Sequence, residues 1–258
     1  SIDEVIRTPV YKRAEEKNVC NELELVGKDG YNLVLRAYDE GAAFRFVPTC
    51  RDDITVYAEN TEFNLGADRM AYISYVKKDG DFNDQFFNTF ENVYEHIHIS
   101  EWRSGKLAFL PVLFEMENGG RMCITESDLE HYPGMYLTGD GTSVLKSVFA
   151  PYPKKMRQGS HDPSVTAGGH NQVVIERESY IAKCRAGESL PWRVFAISGD
   201  DKGLLDNNLV YKLASPAVDS DFSWVRPGKV AWDWWNDNNI TGVDFVAGIN
   251  NETYKYYI

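Results

Sequence analysis

Short runs of alternating apolar and polar residues fill most of this 258-residue sequence. In NELELVGKDGYNLVLRAYDEGAAFRFV (residues 21–47), KDG and DEG separate three such runs. Alternation with a period of two places successive side chains on opposite faces of a strand, and Gly beside Asp favours tight turns. Within residues 32–38, Leu33, Leu35 and Ala37 are therefore expected on one face, and Val34, Arg36 and Tyr38 on the other.

The same alternation continues through most of the chain. It recurs in DITVYAENTEFNL (53–65), KLAFLPVLFEM (106–116), RMCITES (121–127), NQVVIERESYIAKC (171–184) and LPWRVFAIS (190–198). Many short strands separated by Gly, Asn and Asp clusters predict a mainly β protein, a large antiparallel β-sandwich. A short amphipathic helix is predicted within 199–217, where Leu204, Leu205, Leu209 and Leu213 recur at helical spacing.

The last part of the sequence has a different character. A polar stretch with Pro and Gly (219–228) precedes KVAWDWW (229–235), which reads as a strand, and VAGINNETYKYYI (246–258), which reads as the start of a helix capped by Asn250 or Asn251. A single βα unit cannot bury its faces, because a parallel strand needs neighbours on both sides. We therefore expect an incomplete second domain: a β domain over 1–221, then a linker and first βα unit over 222–258.

Composition excludes several function classes. The net charge of −12 without a basic stripe argues against nucleic-acid binding, and no apolar run is long enough for a membrane helix. The four widely spaced cysteines form no zinc or redox motif, so we expect buried or free thiols. No nucleotide-binding or nucleophile-elbow motif is present. The sequence begins with Ser1 and without a secretory signal, which suggests a trimmed N-terminus.

Several segments resemble glycoside hydrolase family 97, the α-glucosidases and α-galactosidases typical of gut Bacteroidetes. WVRPGKVAWDWWND (224–237) with GVDFVAGINNETYKYYI (242–258) is similar to the entry of the family's catalytic barrel. ITESDLEHYPGMYL (124–137) is similar to its T-E-x-D-L-x-x-Y-P-G-M segment, and LRAYDEGAAFRF (35–46) and TEFNL (61–65) also match. The resemblance implies an antiparallel β-supersandwich without its first strands, followed by the first βα unit of a truncated (β/α)8 barrel.

The resemblance also implies an activity and a metal. Family members hydrolyse α-linked gluco- or galacto-oligosaccharides, by inversion or retention, and bind Ca²⁺ through glutamates, one of them from the N-terminal domain. Glu126 is the residue that matches this ligand, with Glu130 in reserve. The general acid and base belong to later barrel strands, so the resemblance implies no catalytic residue in this chain, an incomplete calcium site and no hydrolysis by the chain alone. It further implies a periplasmic or secreted location.

The residues themselves leave alternatives open. Glu126, Asp128 and Glu130 could supply oxygen ligands to a cation or form a solvated acidic turn. In KVAWDWWND we expect Trp232, Trp234, Trp235 and Asn236 to bind substrate at the end of a barrel strand, although tryptophans there could equally fill a core. His96 and His98 alternate, but with no third ligand nearby a structural role is favoured over a metal site.

Two other function classes compete with a glycosidase fragment. One is a non-catalytic carbohydrate-binding β-sandwich that uses exposed aromatics such as Trp102, Trp192 and Tyr132. The other is an interaction domain that self-associates through exposed barrel-entry aromatics. The βα unit at the end of the sequence favours the glycosidase, whose natural partner would be the remainder of the barrel.

Overall fold

The computed structural model describes residues 1–7, 12–28, 30–88, 90–158, 172–216, 221–226 and 228. The strands are β1 (Ile2–Arg7), β2 (Glu15–Leu25), β3 (Tyr31–Tyr38), β4 (Gly41–Pro48), β5 (Ile54–Val56), β6 (Glu62–Asn64), β7 (Met70–Ile73), β8 (Glu95–His98), β9 (Val112–Glu115), β10 (Arg121–Ser127), β11 (Met135–Gly139), β12 (Val144–Phe149), β13 (Pro153–Gln158), β14 (Gln172–Arg177), β15 (Ala182–Cys184) and β16 (Trp192–Ser198). The helices are α1 (Phe82–Gln85), a 3₁₀ turn (Ile99–Glu101), α2 (Asp201–Asp206) and α3 (Leu209–Leu213).

A large antiparallel sheet organises the described residues. Its nine strands lie in the order β1-β2-β3-β4-β16-β10-β9-β7-β8. The predicted runs in 21–47 form β2, β3 and β4, and β4 begins at Gly41 with φ +150°. A Cβ at Gly41 would lie 2.0 Å from the carbonyl oxygen of Phe195 on β16, so the glycine permits the close approach of these strands.

The two faces of this sheet are covered differently. One face packs against the three-stranded sheet β11-β12-β6, and the main apolar core between them includes Phe114, Ile124, Leu137 and Leu145. On the opposite face, α3 buries Leu209 and Leu213 against Val34, Trp192 and Val194. The mainly β, antiparallel sandwich predicted from the sequence is confirmed.

The single helix predicted within 199–217 is wrong: the structure has two short helices, α2 and α3, in its place. It is interrupted at Asn207 and Asn208, and Leu205 is 83% exposed while Leu209 is fully buried. The interruption has a physical cause: the Asn207 amide donates to the Glu40 carbonyl (2.8 Å), and the Asn208 amide donates to the buried Glu16 carboxylate (2.6 Å). These tertiary hydrogen bonds outweigh helix propensity at the junction.

The chain divides into two compact units. The first comprises Ser1–Met156 and Val174–Val218, and the second comprises Arg157–Val173 and Asp219–Ile258. The sheets and helices above belong to the first unit, apart from residues 157–158 of β13 and 172–173 of β14, which belong to the second. The predicted strand over 229–235 and helix over 246–258 lie outside the described residues.

All four cysteines are free, as predicted. Within the described part of the chain, no helix has the length and apolar character that a membrane crossing requires.

Candidate functional site

The neighbouring strands β10 and β16 place Glu126 directly opposite Arg193. Arg193 follows the buried Trp192 in the alternating run of β16, and its side chain points to the face that packs on β11-β12-β6. The guanidinium lies 5.0 Å from the ring centroid of Phe149, and the residue is only 1% exposed. A full positive charge therefore lies inside the sandwich.

Two carboxylates surround this buried guanidinium. Glu59 accepts from Nε (2.8 Å) and Nη2 (2.6 Å) of Arg193, the forked geometry of a strong arginine–carboxylate pair. Nη1 of Arg193 donates to Oε1 of Glu126. We call Glu59, Glu126 and Arg193 the buried triad.

Neighbouring groups fix both glutamates of the buried triad. The Tyr132 hydroxyl donates to Oε2 of Glu59 (3.0 Å), and the Thr61 hydroxyl donates to Oε1 (3.1 Å). The backbone N–H of Met135 donates to Oε2 of Glu126 (2.9 Å). Each carboxylate oxygen thus accepts at least one hydrogen bond, which buried charges require.

The buried triad contains one more acidic group than basic groups. Burial raises the pKa of Glu126, and the charge of Glu59 raises it further, while Arg193 and the Met135 N–H act in the opposite direction. Burial alone would lower the pKa of Arg193, but the hydrogen bonds and charge of Glu59 outweigh it, so this pKa is raised. With Glu59 paired to Arg193 through two hydrogen bonds, the charge of Glu126 is the one left incompletely compensated.

The carboxylates of the acidic turn 126–130 do not converge. Asp128 adopts a left-handed conformation (φ 63°), and its oxygens accept from the N–H (2.8 Å) and hydroxyl (2.7 Å) of Ser215. Glu130 is exposed, whereas Glu126 points into the sandwich. Among the described residues, no three His, Cys, Asp or Glu side chains are grouped so as to hold a metal ion.

The carboxylate of Glu126 could nevertheless supply one of several ligands to a metal ion. A carboxylate has about four acceptor positions, and the two described hydrogen bonds to Glu126 leave capacity for a cation. Its side chain is 10% exposed, and burial, with the charge of Glu59, raises its pKa. Calcium takes about six to eight oxygen ligands, so the remainder would have to come from other residues.

Two clefts flank the segment that follows the acidic turn. The smaller, of about 200 Å³, is lined by Arg45, Asp128 and Ser215, among others. The larger, of about 710 Å³, is lined by Tyr152, Arg177 and Tyr180, among others. Both clefts are also lined by Glu130, His131, Tyr132 and Glu188. β10 thus supplies Glu126 to the interior, and the segment after β10 supplies polar groups to two surface recesses.

The aromatic residues expected for a binding module are not exposed. Trp102, Trp192 and Tyr132 are 4%, 0% and 8% exposed, so the expectation that they are exposed on the surface is wrong. Trp192 is a core residue of the α3-covered face and lies under the guanidinium groups of Arg36 (4.8 Å) and Arg45 (4.3 Å). The predicted substrate-binding residues Trp232, Trp234, Trp235 and Asn236 lie outside the described residues.

The two histidines of β8 have structural partners. His96 stacks on Tyr72, with 4.1 Å between ring centroids, and lies 3.1 Å from a carboxylate oxygen of Glu115. His98 lies 3.4 Å from a carboxylate oxygen of Asp68. These contacts agree with the structural role that was favoured from the sequence.

Glu59 and Arg193 were not predicted from the sequence as functional residues. Arg193 stands in an otherwise apolar stretch, PWRVFAI, where a charged residue between buried neighbours could have signalled a buried ion pair. Glu59 lies 134 residues from Arg193 in the sequence, in a stretch of alternation that gave no reason to single it out.

Most of the chain matches a known protein family. A family model described as glycosyl-hydrolase 97 N-terminal matches residues 1–216. The chain is 46% identical, over an alignment 264 positions long, to a protein from Bacteroides thetaiotaomicron named retaining alpha-galactosidase; the match covers 100% of this chain and 38% of that protein. A probable retaining alpha-galactosidase from Streptomyces bingchenggensis is 26% identical over 205 residues, 79% of this chain and 26% of that protein.

Solved structures share the fold. A glycoside hydrolase family 97 enzyme from Pseudoalteromonas sp. strain K8, in complex with acarbose, aligns with a TM-score of 0.64 at 20% identity, covering 88% of this chain and 31% of that one. A beta-arabinopyranosidase aligns with a TM-score of 0.55 at 18% identity, covering 77% and 30%. The chain spans well under half the length of each of these proteins.

Proposed function

This chain belongs to the glycosyl-hydrolase 97 N-terminal family, and we propose that it forms the N-terminal part of an enzyme that hydrolyses α-linked galacto-oligosaccharides with retention at the anomeric carbon. The observation that carries the proposal is the 46% identity to a protein named retaining alpha-galactosidase, which extends over the whole chain. Retaining glycosidases use two carboxyl groups about 5–5.5 Å apart, one as nucleophile and one as acid and base. We expect both on the later strands of a catalytic barrel, so the chain alone leaves the substrate unhydrolysed.

A chimera tests this proposal. In the chimera, this chain replaces the matching N-terminal part of the Bacteroides thetaiotaomicron relative. We expect the chimera to hydrolyse p-nitrophenyl α-galactoside in preference to the α-glucoside, and the 258-residue chain to hydrolyse neither. A folded chimera without α-galactosidase activity, or hydrolysis by the chain alone, would contradict the proposal.

We further propose that the complete enzyme binds Ca²⁺ and that Glu126 is the ligand supplied by this domain. The net negative charge of the buried triad supports this assignment, because it favours binding of a cation at Glu126. The ion would supply Lewis-acid and orienting chemistry to the site. Arg193 and the Met135 N–H would hold the carboxylate in position. Removal of the metal with EDTA should abolish hydrolysis by the chimera, and Ca²⁺ should restore it.

The remaining expectations stay proposals. We propose a periplasmic or secreted enzyme of a Bacteroidetes bacterium, supported by the Bacteroides relative and tested by cell fractionation of the producing organism.

We also propose that the chain without a barrel self-associates through the tryptophans of 224–235, which would otherwise cover an interdomain surface. A monomer in gel filtration at every concentration would contradict self-association.

A further inference from the structure

We propose that the larger cleft, which we call the tyrosine cleft, binds a neutral saccharide ring against Tyr152. This inference takes only the class of ligand from the proposed function. The cleft encloses about 710 Å³, within the range of small-molecule sites in proteins, and lies entirely within the first compact unit.

The aromatic surface of the tyrosine cleft is a pair of tyrosines. The rings of Tyr152 and Tyr180 are stacked, with 5.6 Å between centroids and 25° between planes. Tyr152 is 50% exposed although it is held in this pair, so part of its ring remains accessible to a ligand. The apolar C–H face of a sugar ring packs on such a surface, while the tyrosine hydroxyl remains available for hydrogen bonds.

Backbone hydrogen bonds hold this pair in place before any ligand binds. The Tyr152 N–H donates to the Tyr180 carbonyl (2.8 Å), and the Glu178 N–H donates to the Tyr152 carbonyl (2.8 Å). The Arg177 guanidinium donates to the Pro151 carbonyl (2.8 Å). Three hydrogen bonds thus join the loop before β13 to the end of β14 and the segment after it, and a preorganised surface reduces the entropic cost of binding.

Polar side chains around the tyrosines suit a ligand with many hydroxyl groups. Lys183, Arg185 and Glu130 are exposed and line the cleft, and Glu188 lines it as well. Cationic hydrogen-bond donors and anionic acceptors are therefore both available to the hydroxyl groups of a ligand. With the basic and acidic side chains nearly balanced, the cleft favours a neutral ligand over a strongly charged one.

The proposal is tested by titration calorimetry of raffinose and maltotriose into the 258-residue chain, without any hydrolysis step. We expect saturable binding of at least one of the two sugars. Tyr152→Ala should weaken it about tenfold and Tyr152→Phe by about twofold or less, because phenylalanine keeps the ring face. Tyr94→Ala is the matched control: Tyr94 is 47% exposed and lines neither cleft, and its removal should leave binding unchanged.

Absence of saturable binding of both sugars would overturn the inference, as would unchanged affinity in folded Tyr152→Ala. If that variant does not fold, Tyr152→Leu replaces it, and unchanged affinity there has the same meaning. Binding that disappears in high salt would also overturn the inference, because it would indicate capture by charge and not by the ring. Each of these failures leaves the hydrolysis test of the chimera intact, so the two proposals fail separately.

Discussion

At the residue scale, the buried triad is the feature that most distinguishes the interior of this sandwich. Placing a guanidinium and two carboxylates out of water costs several kcal/mol per ion, and the contacts with Tyr132, Thr61 and Met135 offset part of that cost. The motif around Glu126 could be recognised from the sequence. Arg193 lies 67 residues after Glu126 in the sequence, and Glu59 lies 67 residues before it, so only the fold reveals the buried triad.

Loss of the central charge should be severe. Arg193→Met leaves two buried carboxylates without a cation, and we expect about 3–5 kcal/mol less stability in urea unfolding. Arg103→Met is the control, because Nη2 of Arg103 donates to both carboxylate oxygens of Glu95 (2.7 and 2.8 Å) at the surface, where both side chains are more than a third exposed. We expect this control to lose about 1 kcal/mol or less; comparable losses in the two variants would contradict the importance of burial.

The raised pKa of Glu126 predicts a pH dependence. Its carboxyl group binds a proton more readily in the folded chain than in the unfolded one, so its contribution to stability is fully present below the unfolded pKa. That contribution is lost as the pH rises through the folded pKa. Glu126→Gln removes this titration, so in metal-free buffer the stability of the variant relative to the parent should increase from about pH 4 to pH 7. A difference that is constant over this range in urea unfolding would contradict the pKa shift.

At the scale of elements, alternation in the sequence predicted the strands β2, β3 and β4. Burial alternates strictly only in residues 15–20 of β2, and residues 21–25 of that strand are all exposed. β11 was not singled out as a strand, since Met135, Tyr136, Leu137 and Gly139 are all buried and alternation disappears when both faces are covered. The break between α2 and α3 was also not predicted, because it depends on contacts with Glu40 and Glu16, far away in the sequence.

The interrupted helix gives a test of this packing. Leu209→Ala removes a fully buried side chain from the α3-covered face, and we expect about 2–5 kcal/mol less stability. Leu205→Ala, in the neighbouring helix, should cost about 0.5 kcal/mol or less, because Leu205 is 83% exposed. Equal costs in urea unfolding would mean that the two leucines belong to one continuous amphipathic helix, as their spacing suggested.

At the scale of the whole molecule, the described sandwich accounts for the family match over residues 1–216. The sequence predicted this architecture because the long motifs and the strand pattern point to the same family. It did not predict the tyrosine cleft, since Tyr152 and Tyr180 meet only when β13 and β14 bring their loops together. Trp102, Trp192 and Tyr132, chosen from the sequence as exposed aromatics, proved to be core residues, because residue type alone does not distinguish a buried aromatic residue from a binding one.

The fold buries Arg193 between two glutamates, and we propose that one of them, Glu126, serves as a metal ligand. The most direct measurement is calorimetric titration of Ca²⁺ into the chimera, compared with its Glu126→Gln and Glu130→Gln variants. We predict that the chimera and Glu130→Gln bind one Ca²⁺ with similar affinity and that Glu126→Gln binds it about tenfold or more weakly. Undiminished binding by a folded Glu126→Gln chimera would contradict the claim and leave the buried triad with a purely structural role.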